Sequence, residues 1–542
     1  MEYALIIILF ILAFLIRIAF QLVPGSDAAV HYWRLSKVSK KKGKIDHSIN
    51  DSVIGNQQAY PKLNHFIVSR FDPKYWPIIG SLINSSLDCF IGIILFILIK
   101  INYPLLYISS FYTIILIISL YLFSPVLLPI DARMKGINGR VLGGFFSTLY
   151  LISIFGVYDY SIWLFIPVII FGNLAISSSQ FSIQVIFSFS IILSLLLLNI
   201  IPLLSLIFTL LFSFSISSLG NVKVLNFWLI HKRWYSRSIK SIEIVASKNR
   251  FIDLLQLPKL LFTNPKRFFF LIFFQQSLAL LILNGFVFIF LCYILCYSNI
   301  EKFNNLTNFS LYIVLASLIM FILTYKGPLA IIGEPERYLE YSLFFLCLVF
   351  IDVSRNSYIL NNNVLFIIVL FQICILFLNI IVSLDPRNLF SNKVAFPSYT
   401  DDVMSFLSTE KYESKKSIAV IPIKSAMPLS YGLSIRGLCN IKFFYRHIED
   451  GSSDFHYMHQ CLGGRVKDPL GLRWGSQKNI TSSEVFRISG ADLYNLFKIT
   501  HILIDATYRS RVDDQWLQNM LLHYELVLST HDVDLYRYSL SK

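Results

Sequence analysis

Long apolar runs dominate the first 385 residues of this chain. A run of about eighteen apolar residues crosses a bilayer of about 30 Å as a helix, so the pattern predicts a polytopic α-helical membrane protein. The eleven predicted spans cover residues 4–22, 78–99, 104–123, 141–157, 161–178, 181–198, 200–217, 268–295, 309–325, 341–353 and 364–384. Counts one or two away from eleven are the alternatives, because Pro202 makes the only turn within 181–217 and the run 341–353 is short.

The connections between these runs alternate between short hairpins and long or charged segments. With eleven spans, every long segment falls on one face of the membrane. These segments are the first loop at 24–76, then 124–140, 218–267, 327–340 and the tail after residue 385. We therefore predict a membrane domain over 1–385 with its polar side chains concentrated on one face.

The tail over 386–542 has a different pattern, with polar stretches between short β-type runs. Runs at 418–423 and 499–505 predict strands, and the last residues predict two strands joined by a tight turn at His531 and Asp532. The stretch 513–523 suits a short helix. The tail is therefore predicted to be a small soluble α/β domain.

The composition excludes a soluble cytosolic enzyme. Hydrophobic residues make up 55% of the chain and charged residues only 15%, against about 25% in an ordinary globular domain. The net charge of +15 is expected to favour anionic lipid head groups, and nucleic acid is not expected as a partner. Of the seven cysteines only Cys439 and Cys461 lie in polar sequence, and they can pair if their compartment is oxidising.

The first loop carries the first candidate chemistry. In PGSDAAVHYWR, Asp27 follows the first span directly, and His31 lies four residues later on the same face of any helix formed there. One interpretation is a general base or metal ligand in a cavity, and the other is a helix N-cap supplied by Ser26 or Asp27. Tyr60 and Pro61 close the loop, and Pro61 favours an extended backbone before a surface or re-entrant helix.

The second loop carries acidic and basic side chains in SPVLLPIDARMKGINGR, on the same predicted face. Arg133 and Arg140 near Asp131 form a plausible clamp for a phosphate, since a guanidinium offers a bidentate fork and keeps its proton. The alternative is that Arg133 and Lys135 snorkel to the interface.

The third loop clusters four ionisable residues in GEPERYLE: Glu334, Glu336, Arg337 and Glu340. Helical spacing permits an internal ion pair involving Arg337. The functional alternative has Arg337 holding an anionic group while a glutamate orients an acceptor. Asp88, inside the second span, needs a partner or a water-filled cavity.

The arrangement of these motifs resembles that of the GT-C glycosyltransferases, membrane enzymes that use polyprenyl-phosphate-linked sugars. The matching features are Asp27 in GSDAAVHYWR, the Tyr60–Pro61 pair, the two later charged loops and the C-terminal domain. The resemblance implies inverting transfer of a hexose or pentose from the lipid-linked donor to a lipid, glycan or protein acceptor, with Asp27 as the catalytic base.

The resemblance also distributes roles over the remaining candidates. Donor-phosphate binding falls to Arg133, Arg140 and Arg337. Acceptor binding or support of the site falls to His31, Tyr60, Asp131, Glu334 and Glu336. A divalent cation, Mg²⁺ or Mn²⁺, would be held by Asp27 and Asp131, but Asp131-Ala132-Arg133 departs from the Asp-x-Asp motif of oligosaccharyltransferases and favours charge neutralisation by arginine.

The orientation implied by the resemblance conflicts with the charge pattern. The family's active face lies outside the cytoplasm, whereas segment 24–76 carries nine Lys or Arg against four acids, which the positive-inside rule assigns to the cytoplasm. We favour the outside placement for the active face and the C-terminal domain, because a face that binds phosphate has its own reason to be basic. The N-terminal run lacks signal-peptide features, and the Ile, Phe, Lys and Asn bias suggests the inner membrane of an AT-rich bacterium.

Two other functions fit the same pattern less well. A transporter or flippase for lipid-linked saccharides also needs many spans, and a polysaccharide polymerase uses a similar donor. Acidic residues concentrated in loops and a long polar tail favour a catalytic face over an alternating-access path.

Overall fold

The structure, a computed structural model, describes a large part of the chain. The description covers residues 2–22, 61, 63–72, 75–104, 110–127, 139–215, 221–222, 224–226, 228–229, 232, 257–263, 265–296, 303–325, 329, 332–356, 360–383, 399–409, 417–421, 442–445, 491, 494–495, 500–505, 518, 521–531 and 533–539.

Each of the eleven predicted apolar segments overlaps at least one helix of the described chain. The helices are α1 (Glu2–Leu22), α2 (Leu63–Val68), α3 (Trp76–Asn102), α4 (Phe111–Leu122), α5 (Arg140–Asp159), α6 (Phe165–Ser178), α7 (Gln180–Leu196), α8 (Ile201–Ser215), α9 (Leu257–Thr263), α10 (Pro265–Phe270), α11 (Ser277–Leu283), α12 (Phe286–Leu295), α13 (Asn305–Tyr325), α14 (Arg337–Asn356), α15 (Asn362–Ser383) and α16 (Tyr399–Thr409). A 3-10 turn at Ile162–Leu164 precedes α6, and a π-helical turn at Leu271–Gln275 follows α10.

Four of the described helices are long and apolar enough to cross a membrane: Ile78–Asn102, Arg140–Asp159, Asn305–Tyr325 and Asn362–Ile381. The bent pair α11 and α12 brings this number to five if it forms one span, and five further apolar helices are shorter. The chain is therefore an α-helical membrane protein, while the count of eleven spans stays a prediction.

Two boundaries differ from the sequence-based expectation. The predicted span at 268–295 is broken, because α11 and α12 meet at an angle of 64° beside Gly285, whose backbone lies against the Leu339 side chain. The expected loop 327–340 ends early, since α14 already begins at Arg337 after a turn that contains Pro335. Arg337 and Glu340 are thus helical residues of the first turn.

The helix α14 lies at the centre of the membrane domain. Its apolar residues from Tyr338 to Val353 are buried almost without interruption, and it contacts α3, α4, α5, α12 and α13. By contrast, α1 exposes Leu5, Ile8, Ile11 and Leu15 on one side, as expected of a helix that faces lipid. The shortest predicted span is therefore the most enclosed helix.

A buried ion pair joins α1 to α3. The Nε atom of Arg17 donates to Oδ2 of Asp88 over 2.8 Å, and both side chains are fully buried. Arg17 Nη1 donates to the carbonyl of Ala13 over 3.2 Å. Asp88 thus has the partner that a carboxylate in a membrane helix requires.

The C-terminal part contains a five-stranded sheet; four of its strands were predicted from the sequence, and the strand at 442–445 was not. The strands are β1 (Ser417–Ile421), β2 (Lys442–Tyr445), β3 (His501–Asp505), β4 (Tyr524–Ser529) and β5 (Val533–Tyr538), in the order β2-β1-β3-β5-β4. The three strands β2, β1 and β3 are parallel, β5 is antiparallel to β3, and β4 is antiparallel to β5. Cys439 and Cys461 lie outside the described residues, as does most of 513–523.

Candidate functional site

Four helices begin close together at one end of the membrane domain, on the face predicted to carry the long loops. They are α5 at Arg140, α7 at Gln180, α11 at Ser277 and α14 at Arg337. The close approach is possible because Gly139 lacks a side chain, since a Cβ there would lie 2.2 Å from the carbonyl oxygen of Ser178. Helix N-termini carry partial positive charge, so this end of the domain is suited to anionic groups.

The innermost charged pair of this cluster is Arg140 with Glu340. Arg140 Nη2 donates to Oε1 of Glu340, and the two side chains are only 6% and 4% exposed. The pair therefore joins the first turn of α5 to the first turn of α14. A buried guanidinium without a carboxylate or another anion would be costly, which explains why the two occur together.

A second pair lies nearer to solvent. Arg337 forms an ion pair with Glu334, with side chains 19% and 21% exposed. Both arginines lie over the Phe181 ring. The guanidinium carbon is 5.1 Å from the ring centroid in Arg337 and 5.8 Å from it in Arg140. Because a guanidinium over an aromatic face is stabilised by the ring quadrupole, Phe181 holds the two cations on one platform.

The third carboxylate, Glu336, is tied to a different helix. Its Oε2 atom accepts a hydrogen bond of 2.7 Å from the hydroxyl of Ser277, at the start of α11, and Glu336 is 7% exposed. The π-helical turn at Leu271–Gln275 lies directly before this position. Glu336 therefore anchors the turn before α14 to α11.

The turn that carries these carboxylates is pressed against α7. A Cβ added at Gly333 would lie 2.4 Å from Oε1 of Gln184 and 2.9 Å from the Phe181 ring, so any other residue there would require these side chains to shift. On the other side, Lys232 Nζ donates to the carbonyl oxygen of Ile332 over 2.9 Å. Lys232 belongs to the basic segment 218–267, so this contact connects that segment to the site.

A small cleft of about 10 Å³ lies beside the buried pair, between α3, α4, α5 and α14. The residues that line it are Ile91, Tyr121, Leu127, Gly144, Thr148, Glu340, Tyr341 and Phe344. Its volume is close to that of a single water site. Glu340 is therefore in contact both with Arg140 and with a polar opening inside the membrane domain.

The end of the first loop reaches the same region. Pro61 is buried, and α2, which follows it, contains the buried residues Asn64 and His65. The side chain of Asn64 lies 3.6 Å from the position that a Cβ of Gly139 would take. The loop that contains Asp27 and Tyr60 thus ends next to Arg140.

The structure brings together four of the predicted site residues, Arg140, Arg337, Glu334 and Glu336. The other five predicted residues, Asp27, His31, Tyr60, Asp131 and Arg133, lie outside the described residues, so their roles stay predictions. Within the described ranges no three His, Cys, Asp or Glu side chains are placed so that they could hold a metal ion, and the proposed metal ligands Asp27 and Asp131 lie outside those ranges.

Sequence reasoning missed several groups of the site. Glu340 pairs with Arg140 rather than within its own helix, Phe181 supplies the shared aromatic platform, and Ser277 binds Glu336. Phe181 carries no signal that separates it from the many phenylalanines of the spans. Lys232, in the basic stretch HKR, and Glu340, in the charged third loop, were the members with a visible charge signal.

Comparison with known proteins finds structural similarity only. No protein-family model and no curated protein sequence matches the chain. It is similar to ArnT from Cupriavidus metallidurans bound to undecaprenyl phosphate, at 10% identity and a TM-score of 0.40, over 99% of this chain and 98% of that chain.

It is also similar to the archaeal oligosaccharyltransferase AglB from Archaeoglobus fulgidus, solved with an inhibitory peptide and a dolichol-phosphate. That match has 11% identity and a TM-score of 0.47, over 98% of this chain and 74% of that chain. The roles proposed below therefore rest on the contacts within this chain.

Proposed function

We propose that this protein is a membrane glycosyltransferase that moves a sugar from a polyprenyl-phosphate-linked donor to a lipid, glycan or protein acceptor. The observation that carries the proposal is the approach of Arg140 and Arg337 to the single Phe181 ring at the end of a membrane domain. A membrane lipid presents its phosphate group at the end of a membrane domain, which is where these two arginines lie. Undecaprenyl phosphate and dolichol phosphate, the lipids in the two similar structures, belong to this class of carrier.

In the proposed reaction the two arginines, with Arg133, stabilise the negative charge that accumulates on the departing phosphate. Guanidinium groups at a water-poor position serve this purpose well, since their charge is fixed and their donors are oriented before the reaction. The transition state of glycosyl transfer places most new charge on the leaving-group oxygen, so these contacts strengthen as the bond to the anomeric carbon breaks.

Asp27 is assigned as the base that takes the proton from the acceptor hydroxyl as that oxygen attacks the anomeric carbon. The packing of α2 beside Gly139 supports this assignment, because it brings the end of the Asp27 loop to the arginine cluster. His31, Tyr60, Asp131, Glu334 and Glu336 are assigned to acceptor binding or to support of the site. Asp27 and Asp131 are the groups assigned to a divalent cation, Mg²⁺ or Mn²⁺, if one binds.

The active face and the C-terminal sheet are proposed to lie outside the cytoplasm, in the inner membrane of a bacterium. The contact from Lys232 to the carbonyl of Ile332 supports a functional use of the basic segment 218–267 at the site. Positive charge that serves substrate binding is compatible with an outer face, whereas charge without such a use would favour the cytoplasmic side.

The direct test is transfer from defined donors. Purified protein in lipid nanodiscs is given undecaprenyl-phosphate-linked monosaccharides together with a lipid, glycan or peptide acceptor, and release of undecaprenyl phosphate and glycosylation of the acceptor are followed by mass spectrometry. Asp27→Asn is expected to abolish release while the lipid still binds. Arg337→Ala is expected to raise KM for the donor more than KM for the acceptor.

Asp159→Asn is the matched control, since this carboxylate lies at the opposite end of α5 and accepts a hydrogen bond of 2.8 Å from Asn305. It is expected to leave release unchanged. Flipping of a fluorescent lipid-linked saccharide by wild-type protein, together with no transfer from any donor and full flipping by Asp27→Asn, would instead establish the transporter function.

A further inference from the structure

Among the described residues of the cluster, cations and carboxylates are equal in number. The cations of the described cluster are Lys232, Arg140 and Arg337, and its carboxylates are Glu334, Glu336 and Glu340. A phosphate that joins this set adds one or two negative charges to a neutral, poorly solvated group. Such an addition is unfavourable unless one carboxylate leaves, because uncompensated charge in this environment is costly.

Burial identifies the carboxylate that can leave. Glu340 is only 4% exposed and lies beneath Arg140, and Glu336 is held by the Ser277 hydroxyl. Glu334 is 21% exposed, so of the three carboxylates its side chain lies nearest to water. Its partner Arg337 is similarly accessible, at 19%.

The backbone around Glu334 is restrained, so the movement involves the side chain alone. Gly333 lies against Gln184 and Phe181 with no room for a Cβ, and Pro335 disfavours a helical backbone for the residue before it. A carboxylate and a phosphate each present two oxygens that a guanidinium fork can bind as a pair. Either group can therefore take the position at Arg337 without a rearrangement of the turn.

We propose that Glu334 occupies the phosphate-binding position of Arg337 in the ligand-free protein, and that the phosphate of the substrate displaces it. Lys232, bound to the Ile332 carbonyl of the same turn, supplies a second cation to the incoming phosphate. The inference rests on the proposed function for the identity of this anion, the phosphate of a polyprenyl carrier. Glu334 then sets donor affinity by competition, and Lys232 becomes a donor-binding residue.

The test measures affinity for undecaprenyl phosphate in phosphatidylcholine nanodiscs at constant ionic strength. Glu334→Gln is expected to bind about fivefold more tightly than wild type, equivalent to about 1 kcal/mol, because the competing charge is removed. Lys232→Gln and Arg337→Gln are expected to bind more weakly. In the Arg337→Gln background, Glu334→Gln is expected to give no gain, since the position they share has lost its cation.

Glu525→Gln is the matched control for net charge. Glu525 pairs with Arg537 between β4 and β5, so its substitution changes the total charge by the same amount at a different surface. It is expected to leave the affinity unchanged. If Glu334→Gln binds neither undecaprenyl phosphate nor inorganic phosphate more tightly than wild type and the Glu525 variant do, the inference is overturned, whatever the transfer assay shows.

Inorganic phosphate separates this inference from the proposed function. If Glu334→Gln binds both inorganic phosphate and undecaprenyl phosphate more tightly, the displaced position accepts a lipid phosphate. If the gain is seen for inorganic phosphate and undecaprenyl phosphate does not bind, the displacement by phosphate stands and the lipid-linked donor is ruled out. If Glu334→Gln binds neither inorganic phosphate nor undecaprenyl phosphate, the inference fails.

Discussion

Arg140 and Glu340 are 200 residues apart in the chain and form a buried ion pair between the first turns of α5 and α14. The pair connects the start of α5 to the central helix of the membrane domain. It also borders the cleft lined by Gly144 and Tyr341.

Removal of one member of this pair is expected to destabilise the protein strongly. Arg140→Met leaves a buried carboxylate without its cation, which typically costs about 3–5 kcal/mol. The double variant Arg140→Met/Glu340→Leu is expected to recover most of the loss, since it removes both charges. Thermal unfolding in detergent measures the difference, and equal midpoints for the single and double variants would contradict the expectation.

The neighbouring glycines 143 and 144 are expected to respond oppositely to alanine. A Cβ at Gly143 would lie 2.2 Å from Oγ of Ser182, so Gly143→Ala is expected to destabilise the packing of α5 on α7 by about 1–3 kcal/mol. A Cβ at Gly144 meets no atom within 4 Å. Gly144→Ala is therefore expected to be neutral or to stabilise the helix by roughly 0.5–1 kcal/mol. The thermal unfolding midpoints of the two variants, measured beside that of the wild type, test both expectations.

The Arg17–Asp88 pair provides a similar comparison at the junction of α1 and α3. Arg17→Met is expected to lower the unfolding midpoint, because Asp88 would keep a buried charge without its partner. Arg17→Met/Asp88→Leu is expected to be more stable than the single variant. A double variant as unstable as the single one would show that the packing of the two side chains, rather than their charge, joins the helices.

Metal dependence is expected to be weak. Arg133 stands where an Asp-x-Asp motif would place its second carboxylate, so arginine rather than a cation is predicted to neutralise the phosphate. Transfer in excess EDTA is expected to stay within about twofold of the untreated rate, because Lewis-acid stabilisation is not required. Loss of transfer in EDTA that Mn²⁺ or Mg²⁺ restores would assign the cation to Asp27 and Asp131.

The orientation of the protein is testable in intact cells. Asp46→Cys and Asp450→Cys, each in a background without the native cysteines, are expected to react with a membrane-impermeant thiol reagent from outside. Reaction at both positions would place the first loop and the C-terminal region together on the outer face. Protection of both until the cells are opened would support the positive-inside rule and a cytoplasmic site.

Much of the site could be identified from the sequence as a set of residues, though not as a set of contacts. Arg140, Arg337, Glu334 and Glu336 were recognisable because charged side chains are rare and conspicuous between apolar runs. Glu340 was visible too, but its spacing suggested a partner on its own helix. Its partner is Arg140, which no local pattern could indicate.

The sequence by itself located the apolar segments that form helices, though not the break within 268–295 or the start of α14, because a helix of apolar side chains satisfies its own backbone hydrogen bonds in a membrane. It also determined the alternation that forms β4 and β5. Only the tertiary structure decided that the short run 341–353 belongs to the most enclosed helix, that Phe181 receives two arginines, and that Lys232 reaches the turn before α14. Hydropathy is a sum over neighbouring residues, whereas an ion pair depends on the distance between atoms that packing brings together from distant parts of the chain.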